Sequence, residues 1–532
     1  MATCSSDSKI LNYSHLVDAD SGPGNVSGVR NPFRFGRCFW VIAALFFLTS
    51  CAYVSSPEHE VGTKVLSASP DSRLARYMGV KQSDPARALL IEGPAFALTS
   101  RIDLIDAADS SIDVQYFIWQ NDATGILVIE KLLQAADRGV RVRALIDDVQ
   151  MQGQLSLLNV LDDHPNLDIR LFNPFSMRVP FPLFRLMEFT IDGNRLNHRM
   201  HNKLLVADNQ LAILGGRNIG DDYFGFSQQR NFIDTDILLS GDIVHKLSYG
   251  FDSFWNSRWA HPVGEMANMA IRKDDLNRLR ERIHLRLAEY PELVVMVNDS
   301  AFEDTVDMLR DGYELLEAAT VIDDPSLRWF DRPDEIAAEL TEIAMNVQRE
   351  VLIVSPYFVP TLNMFDIARS LKERGVKITV VTNSLSSNDV EIAHSAYARN
   401  REAILAVGVE LYEMRGDPQL TENEVAEDIS LHSKYIIFDD DVVFIGSMNL
   451  DPRSLYLNTE LGVVLRSPDL ADALRASFHT LIQPENSWRV SSTAEGLRWT
   501  SSSGTINTEP AESSWQRVRS LLFSILPVSD QL

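Results

Sequence analysis

Cysteine is nearly absent. The 532-residue chain has three, Cys4, Cys38 and Cys51, and none after residue 51, so no disulfide framework holds the body together. Basic charge is also scarce: 49 Lys and Arg stand against 74 Asp and Glu, a formal net charge of −25. Residues 1–50 hold Lys9, Arg30, Arg34, Arg37, Asp7, Asp18 and Asp20, so without them the charge is −26. Broad capture of nucleic acid rests on clustered Lys and Arg that release counterions, and this balance argues against nucleic acid as a partner. An anionic substrate must instead be held locally. The apolar run from Phe39 to Leu48 is too short for an ordinary membrane span, which takes about 20 residues. What is present is a hydrophobic content of 45%, with length enough for two or more domains and a large core.

Arg30, Arg34 and Arg37 followed by the run Phe39 to Leu48 suit a signal-peptide core. Leu48-Thr49-Ser50-Cys51 resembles the bacterial lipobox. That likeness implies cleavage before Cys51, diacylglycerol attached to it, and an envelope lipoprotein on the periplasmic side. A plain signal or a short anchor is the alternative. The polar stretch before Arg30 exceeds a usual leader, so translation is expected to start downstream of Met1. Ala52 in place of Asp, by resemblance to Gram-negative lipoproteins, favours the outer membrane. We expect residues 1–50 to be the signal segment and 51–85, rich in Ser, Pro and charge, a tether.

The body repeats itself. Leu132 to Ile146 parallels Ala368 to Thr382: in each, an amphipathic helix ends at a glycine, Gly139 or Gly375, and a β-branched strand begins at once. Strands at Ile112–Trp119 and Val351–Phe358 precede these helices, and further helices at Phe96–Ala108 and Pro333–Val347 precede those. A third helix and strand follow, Leu155–Leu161 with Leu167–Phe172 and Glu391–Ala406 with Val409–Met414. This order predicts an α/β fold of two related domains, 86–262 and 329–485, each with a largely parallel sheet between helices. A charged helical connector, 263–328, separates them, and 486–532 forms a tail whose residues 487–513 read as loop.

Each half ends in the same motif. His201, Lys203, Asp208, Gly215-Gly216 and Asn218 recur at the spacing of His432, Lys434, Asp439, Gly446-Ser447 and Asn449. Each motif sits on a predicted tight hairpin, Met200–Ala207 with Gln210–Leu214, or Leu431–Phe438 with Val442–Ile445. His and Lys two apart share a strand face, and the glycines permit close approach to a ligand. A phosphodiester repels nucleophiles, so attack on it needs ammonium groups and amides around the phosphorus, here Lys203, Lys434, Asn218 and Asn449. One imidazole attacks and the other moves protons. Neither histidine has ligand-spaced partners for a metal, and no cofactor is expected.

These residues resemble the duplicated His-x-Lys-x4-Asp signature, or HKD motif, of the phospholipase D superfamily, over about residues 85–485. The words Val114 to Trp119, Asn197 to Lys203, Gly215 to Gly220 and Ser355 to Pro360 are similar to the bacterial cardiolipin synthases, and to their type C branch as far as Trp515 to Pro527. The resemblance implies a phospholipase D fold: two pseudo-twofold-related α/β/α sandwich domains with the active site between them. It also implies metal-independent transfer of a phosphatidyl group through a phosphohistidine to the hydroxyl of phosphatidylglycerol. On it, His201 is the nucleophile and His432 the acid and base. A carboxylate behind each imidazole is nominated by aligning Thr235-Asp236-Ile237 with Thr459-Glu460-Leu461, which gives Asp236 and Glu460, with Glu460 behind His432. Asp208 and Asp439, at the hairpin tips, read as structural before catalytic. Ser447, opposite Gly216, offers a hydroxyl to phosphate on one side only.

The partners implied are phospholipids, phosphatidylglycerol and also phosphatidylethanolamine as donor, together with a membrane. Phe172, Phe175, Phe181, Phe184 and Phe189 with Arg178 and Arg185 form a candidate lipid-admitting loop. Trp515, Val518, Leu522, Ile525 and Leu526 lie on one helical stripe, expected to pack on the body. A hydrolytic phospholipase D, using the same residues, and a nuclease-like phosphodiesterase are the competing readings.

Overall fold

The computed structural model describes residues 63–78, 86–151, 153–176, 182–266, 270–325, 335–420 and 428–524. The signal segment, the lipobox and Cys51 lie outside the described residues, as do Arg178 and Phe181, the side chains of Phe184 and Arg185, and the end of the final stripe from Ile525.

The first half is built on β1 (Arg87–Ile91), β2 (Ser111–Tyr116), β3 (Arg141–Asp147), β4 (Leu167–Phe172), β5 (Leu204–Ala207), β6 (Leu211–Gly215), β7 (Arg230–Ile233), β8 (Asp236–Ser240) and β9 (Ala260–Pro262). The connector adds β10 (Tyr313–Glu314) and β11 (Glu317–Ile322). The second half has β12 (Glu350–Val354), β13 (Lys377–Asn383), β14 (Glu410–Met414), β15 (Asp428–Leu431), β16 (Tyr435–Phe438), β17 (Val442–Gly446), β18 (Leu461–Arg466), β19 (Ser487–Thr493), β20 (Gly496–Ser501) and β21 (Gly504–Ile506). One sheet runs β10-β1-β8-β6-β5-β2-β3-β4-β9, the other β11-β18-β17-β16-β12-β13-β14-β19-β20-β21.

The repeated helices flank these sheets. They are α1 (Pro94–Ala107) and α2 (Ala123–Asp137) in the first half, α3 (Glu335–Asn346) and α4 (Leu362–Glu373) in the second. Asp122 caps α2 by accepting from the Gly125 N–H at 2.9 Å, and Thr361 caps α4 from the Met364 N–H at 3.4 Å. Gly139 and Gly375 follow with φ of 94° and 81°, conformations that stop a helix at little cost to glycine.

The sheets are mixed, where largely parallel ones were expected. In each, the βαβ crossovers make a parallel core, β2-β3-β4 or β12-β13-β14. The motif hairpin then returns antiparallel on β2 or β12. The loop expected over 487–513 contains three strands that extend the second sheet beyond β14. There the buried Trp499 donates to Glu413 Oε2 at 2.9 Å. Residues of the expected tether also belong to the body: Val65 N–H reaches Asp252 at 2.8 Å, and Arg73 pairs with Asp109 at 2.7 Å.

The inner sheet faces meet in one core. Leu145, Leu204, Leu214 and Ile237 of the first half cluster with Leu352, Val354, Ile437 and Val443 of the second. At about 1.5–3 kcal/mol per buried side chain, this joins the halves firmly. The connector stitches them too: β10 pairs with β1 in one sheet and β11 with β18 in the other. Its helices, Asp275–Leu287, Pro291–Asn298 and Phe302–Arg310, pack on α1 and α2. Among the described residues no helix is long and apolar enough to cross a membrane.

Candidate active site

Both histidines stand just before a hairpin strand, at the edge where the two sheets meet. The His201 N–H donates to Thr459 O at 2.9 Å and the His432 N–H to Ile233 O at 2.7 Å, so each backbone is docked on the opposite half. β7 and β15, one from each half, pair in parallel beside them. The rings follow the same exchange. Nδ1 of His201 lies 2.9 and 3.1 Å from the Glu460 carboxylate, and Nδ1 of His432 lies 2.6 Å from Asp234. Each imidazole donates Nδ1–H to a buried carboxylate of the other half, which leaves Nε2 available for chemistry.

The carboxylate behind His432 is therefore Asp234, and Glu460 stands behind His201. Asp236 holds Arg101 at 2.8 Å and Arg217 at 3.1 Å in a fully buried cluster. The register explains the two-residue slip. Gly215 lies opposite Asp236 across β6 and β8, whereas Gly446 lies opposite Gly462 across β17 and β18. The counterpart of Asp236 is thus Gly462, and that of Glu460 is Asp234.

Ser447 also differs from expectation. Its hydroxyl donates to Glu460 Oε2 and accepts from the Leu461 N–H at 2.9 Å, so it braces the carboxylate. Gly216 takes the matching place because a Cβ there would lie 2.1 Å from Asp234 Oδ1. Cβ atoms at Gly215 and Gly446 would lie 2.2 Å from Asp236 Oδ1 and 2.5 Å from Leu461 O. These glycines make room for the protein's own backbone and carboxylates.

The ammonium groups sit beside the rings. Lys203 Nζ donates to His201 O at 2.6 Å; Lys434 Nζ donates to His432 O and lies 2.9 Å from His432 Nδ1. Asn218 accepts from the Ile118 N–H at 3.1 Å and donates to Tyr223 OH at 2.9 Å. Asn449 is buried, and its Oδ1 has no hydrogen-bond partner among the described residues. Aromatic walls complete the site: Phe117 meets His201 edge-on at 4.9 Å, and Tyr223 and Phe232 lie 5.2 and 5.0 Å from His432. None of these aromatics, nor Asp234, was singled out in the sequence, although Phe117 lies within one of the family words.

Burial governs the electrostatics. It lowers His201 to about 4, against the pull of Glu460 and with help from Lys203 and Lys434. His432 is pushed well below the usual imidazole range by burial, then by Lys434, Lys203 and His201. Burial lowers Lys434 to about 8 and Lys203 well below its ordinary value, with acidic neighbours opposing both shifts. Groups of both halves thus act on one another across a single site. The carboxylates diverge: burial raises Asp234 despite Lys434 and Arg217, while burial also presses Glu460 up but His201, Lys203 and the Ser447 hydroxyl together lower it.

Asp208 and Asp439 sit in the hairpin turns with φ of 52° and 49°. Asp208 accepts from the N–H groups of Asp109, Ser110 and Ser111 at 2.7–3.0 Å, and Asp439 from those of Gln348, Arg349 and Glu350 at 2.7–3.1 Å. They staple the turn to the start of β2 or β12, at the far end of the hairpin from the histidines.

A family profile described as "Cardiolipin synthase, PLD-like domain" matches residues 102–255 and 340–482. The chain belongs to this family. Cardiolipin synthase C of Escherichia coli (strain K12) is 36% identical over 453 residues, 81% of this chain and 93% of that relative. Cardiolipin synthase 1 of Staphylococcus aureus (strain COL) is 25% identical over 374 residues, 70% of this chain and 63% of that relative. The crystal structure of a phosphatidylserine synthase from Haemophilus influenzae Rd KW20 shares the fold, with a TM-score of 0.53 at 14% identity, over 78% of this chain and 91% of that one. Like its family, the protein is an enzyme, with the phospholipase D fold expected from the duplicated motif.

Proposed function

We propose that the protein is a phosphatidyl transferase that moves a phosphatidyl group through a phosphohistidine on His201 to the hydroxyl of phosphatidylglycerol, giving cardiolipin. The observation that carries this reading is the pair of imidazoles, each fixed at Nδ1 by a carboxylate of the other half. In the first step His201 Nε2 attacks phosphorus as the bond to the leaving alcohol breaks, and His432 Nε2–H protonates that oxygen. In the second, His432 takes the proton of the acceptor hydroxyl, whose oxygen attacks phosphorus and frees His201. Lys203, Lys434, Asn218 and Asn449 surround the charged oxygens. The anionic substrate itself favours protonation of His432, which the two ammonium groups oppose in the free site.

The divergent carboxylates support this assignment. Glu460, held low, stays charged to balance a cationic phosphorylated ring, while Asp234, raised, suits a ring that gains and loses a proton. The lipobox supports acyl anchoring through Cys51 on the periplasmic side, and Ala52 supports the outer membrane. Phosphatidylethanolamine is a second candidate donor, and the step requires neither metal nor cofactor.

The test is to incubate the purified protein with labelled phosphatidylglycerol, alone and with labelled phosphatidylethanolamine, and to separate the products. Cardiolipin is expected. Phosphatidic acid alone would replace transfer with hydrolysis.

A further inference from the structure

Between the outer face of the second sheet and helices α3 and α4 lies a cavity of about 580 Å³ lined almost wholly by apolar side chains. In the first half the corresponding strands and helices pack closely, and the pocket beside them bordered by Trp119, Leu132 and Ala144 measures about 20 Å³. The duplicated fold shows why. Leu132 on α2 becomes Ala368 on α4. Arg101 and Arg217, which with Asp236 plug the first half with a buried ion-pair cluster, become Leu340 and Met448, while Asp236 becomes Gly462, whose side is covered by the Phe444 ring. The result is visible on the sheet itself: Val114 is 1% exposed, while its counterpart Ile353, on a central strand, remains half-buried and faces the cavity. The connector helices cover α1 and α2; among the described residues none packs on α3 and α4 in the same way.

The cavity wall is built in part from the chain segments that carry the second motif. Ile436 and Phe438 line it and continue the alternation of His432 and Lys434 along the same stretch of chain. Met448 and Leu450, on either side of Asn449, form part of its wall. Two apolar residues also stand in solvent: Leu362, 83% exposed, at the start of α4, and Tyr456, 56% exposed, in the helix Pro452–Tyr456.

We infer that this cavity receives an acyl chain of the lipid whose phosphate is held between His201 and His432. The ligand class follows from the lining, which satisfies an alkyl chain and little else, and from the position beside a phosphate site. The inference rests on the substrate being a phospholipid. One half of the duplicated fold thus holds its outer layer together with charge, and the other leaves the same layer open to lipid.

The experiment uses the full chain with phosphatidylglycerol vesicles that carry a photoactivatable diazirine in one acyl chain, followed by irradiation, proteolysis and peptide mapping. Label is expected on peptides covering residues 351–371 and 436–456. Ala368→Phe and, separately, Ile353→Trp are each expected to cut that label on the order of ten-fold while label on the carboxy-terminal helix is unchanged. Wild-type label absent from these peptides, or undiminished in both filled variants, overturns the inference. So does label that rises in the cavity when Trp329 and Phe330 are changed to serine, which would assign the space to the chain's own segment 326–334. Cross-linking needs no turnover, so a labelled cavity in a protein that makes no cardiolipin would keep this site and reject the transfer reading.

Discussion

Glu460, from the second half, lies 2.9 Å from Nδ1 of His201 in the first, and Asp234 returns the relationship at 2.6 Å from Nδ1 of His432. Neither half therefore contains a complete histidine and carboxylate pair. The duplication makes two interlocked halves of one site, and the inner-face core is what keeps each ring aligned.

The exchange of Asp236 for Asp234 has separable consequences. Asp234→Asn is expected to lower kcat by roughly 10²–10⁴-fold, with the thermal midpoint little changed. Asp236→Asn leaves Arg101 and Arg217 buried without a full counter-charge, a loss of about 3–5 kcal/mol of stability, while each molecule that stays folded keeps its turnover. Denaturant unfolding and initial rates on both variants distinguish the two; the opposite pattern would restore Asp236 to the site.

Stability should depend on pH through the buried rings. His201 is neutral in the folded protein down to about 4, whereas an unfolded imidazole takes a proton near 6.5. Between these values the unfolded chain binds the extra proton. Stability is full above about 6.5 and falls, by roughly 1.4 kcal/mol per pH unit from this group, as pH drops toward 4. His432, also lowered, adds in the same direction. Thermal melts of the wild type and His201→Gln across this range check the sign: the variant should lose less stability on acidification, and an equal or larger loss would contradict it.

The turn aspartates are expected to affect folding. Asp208 is 1% exposed and satisfies three backbone N–H groups, so Asp208→Ala should cost about 1–3 kcal/mol. Asp439→Ala, at a more exposed turn, should cost less. A large fall in kcat at unchanged stability would return either residue to the catalytic set.

The last helix, Ser514–Ser524, docks by its polar side. Gln516 donates to Leu385 O and Ser395 to Ser520 O, both at 2.9 Å, while Trp515, Val518, Leu521 and Leu522 remain exposed. Among the described residues, the apolar stripe does not pack on the body as the sequence suggested. Changing Trp515, Leu521 and Leu522 to serine should weaken binding to anionic vesicles several-fold without lowering the thermal midpoint; unchanged sedimentation with vesicles would argue against this face. The candidate loop upstream is in part buried, through Phe172 and Phe175, while Phe189 stays exposed.

Both motif copies, their hairpins and the βαβ order were legible because fixed spacings and local periodicity carry them. What remained hidden depends on long-range register. Shifting Asp236 for Asp234 moves the alignment by two, a full strand period, so side-chain alternation gives no warning. Only the pairing of Gly215 with Asp236 against that of Gly446 with Gly462 exposes it. The exchange of carboxylates between halves has no local signal at all. The short strand β10, in a connector that reads as helical, and the Ser/Thr-rich β19 to β21, whose composition reads as loop, were likewise set by the neighbours they pair with.

The order of the two histidines is the central claim, and trapping the intermediate tests it. Single-turnover reaction with phosphatidylglycerol labelled at the phosphate, quenched in alkali and mapped by peptide, should place the label on His201, and His201→Ala should carry none. Label on His432, persisting in His201→Ala, would reverse the roles.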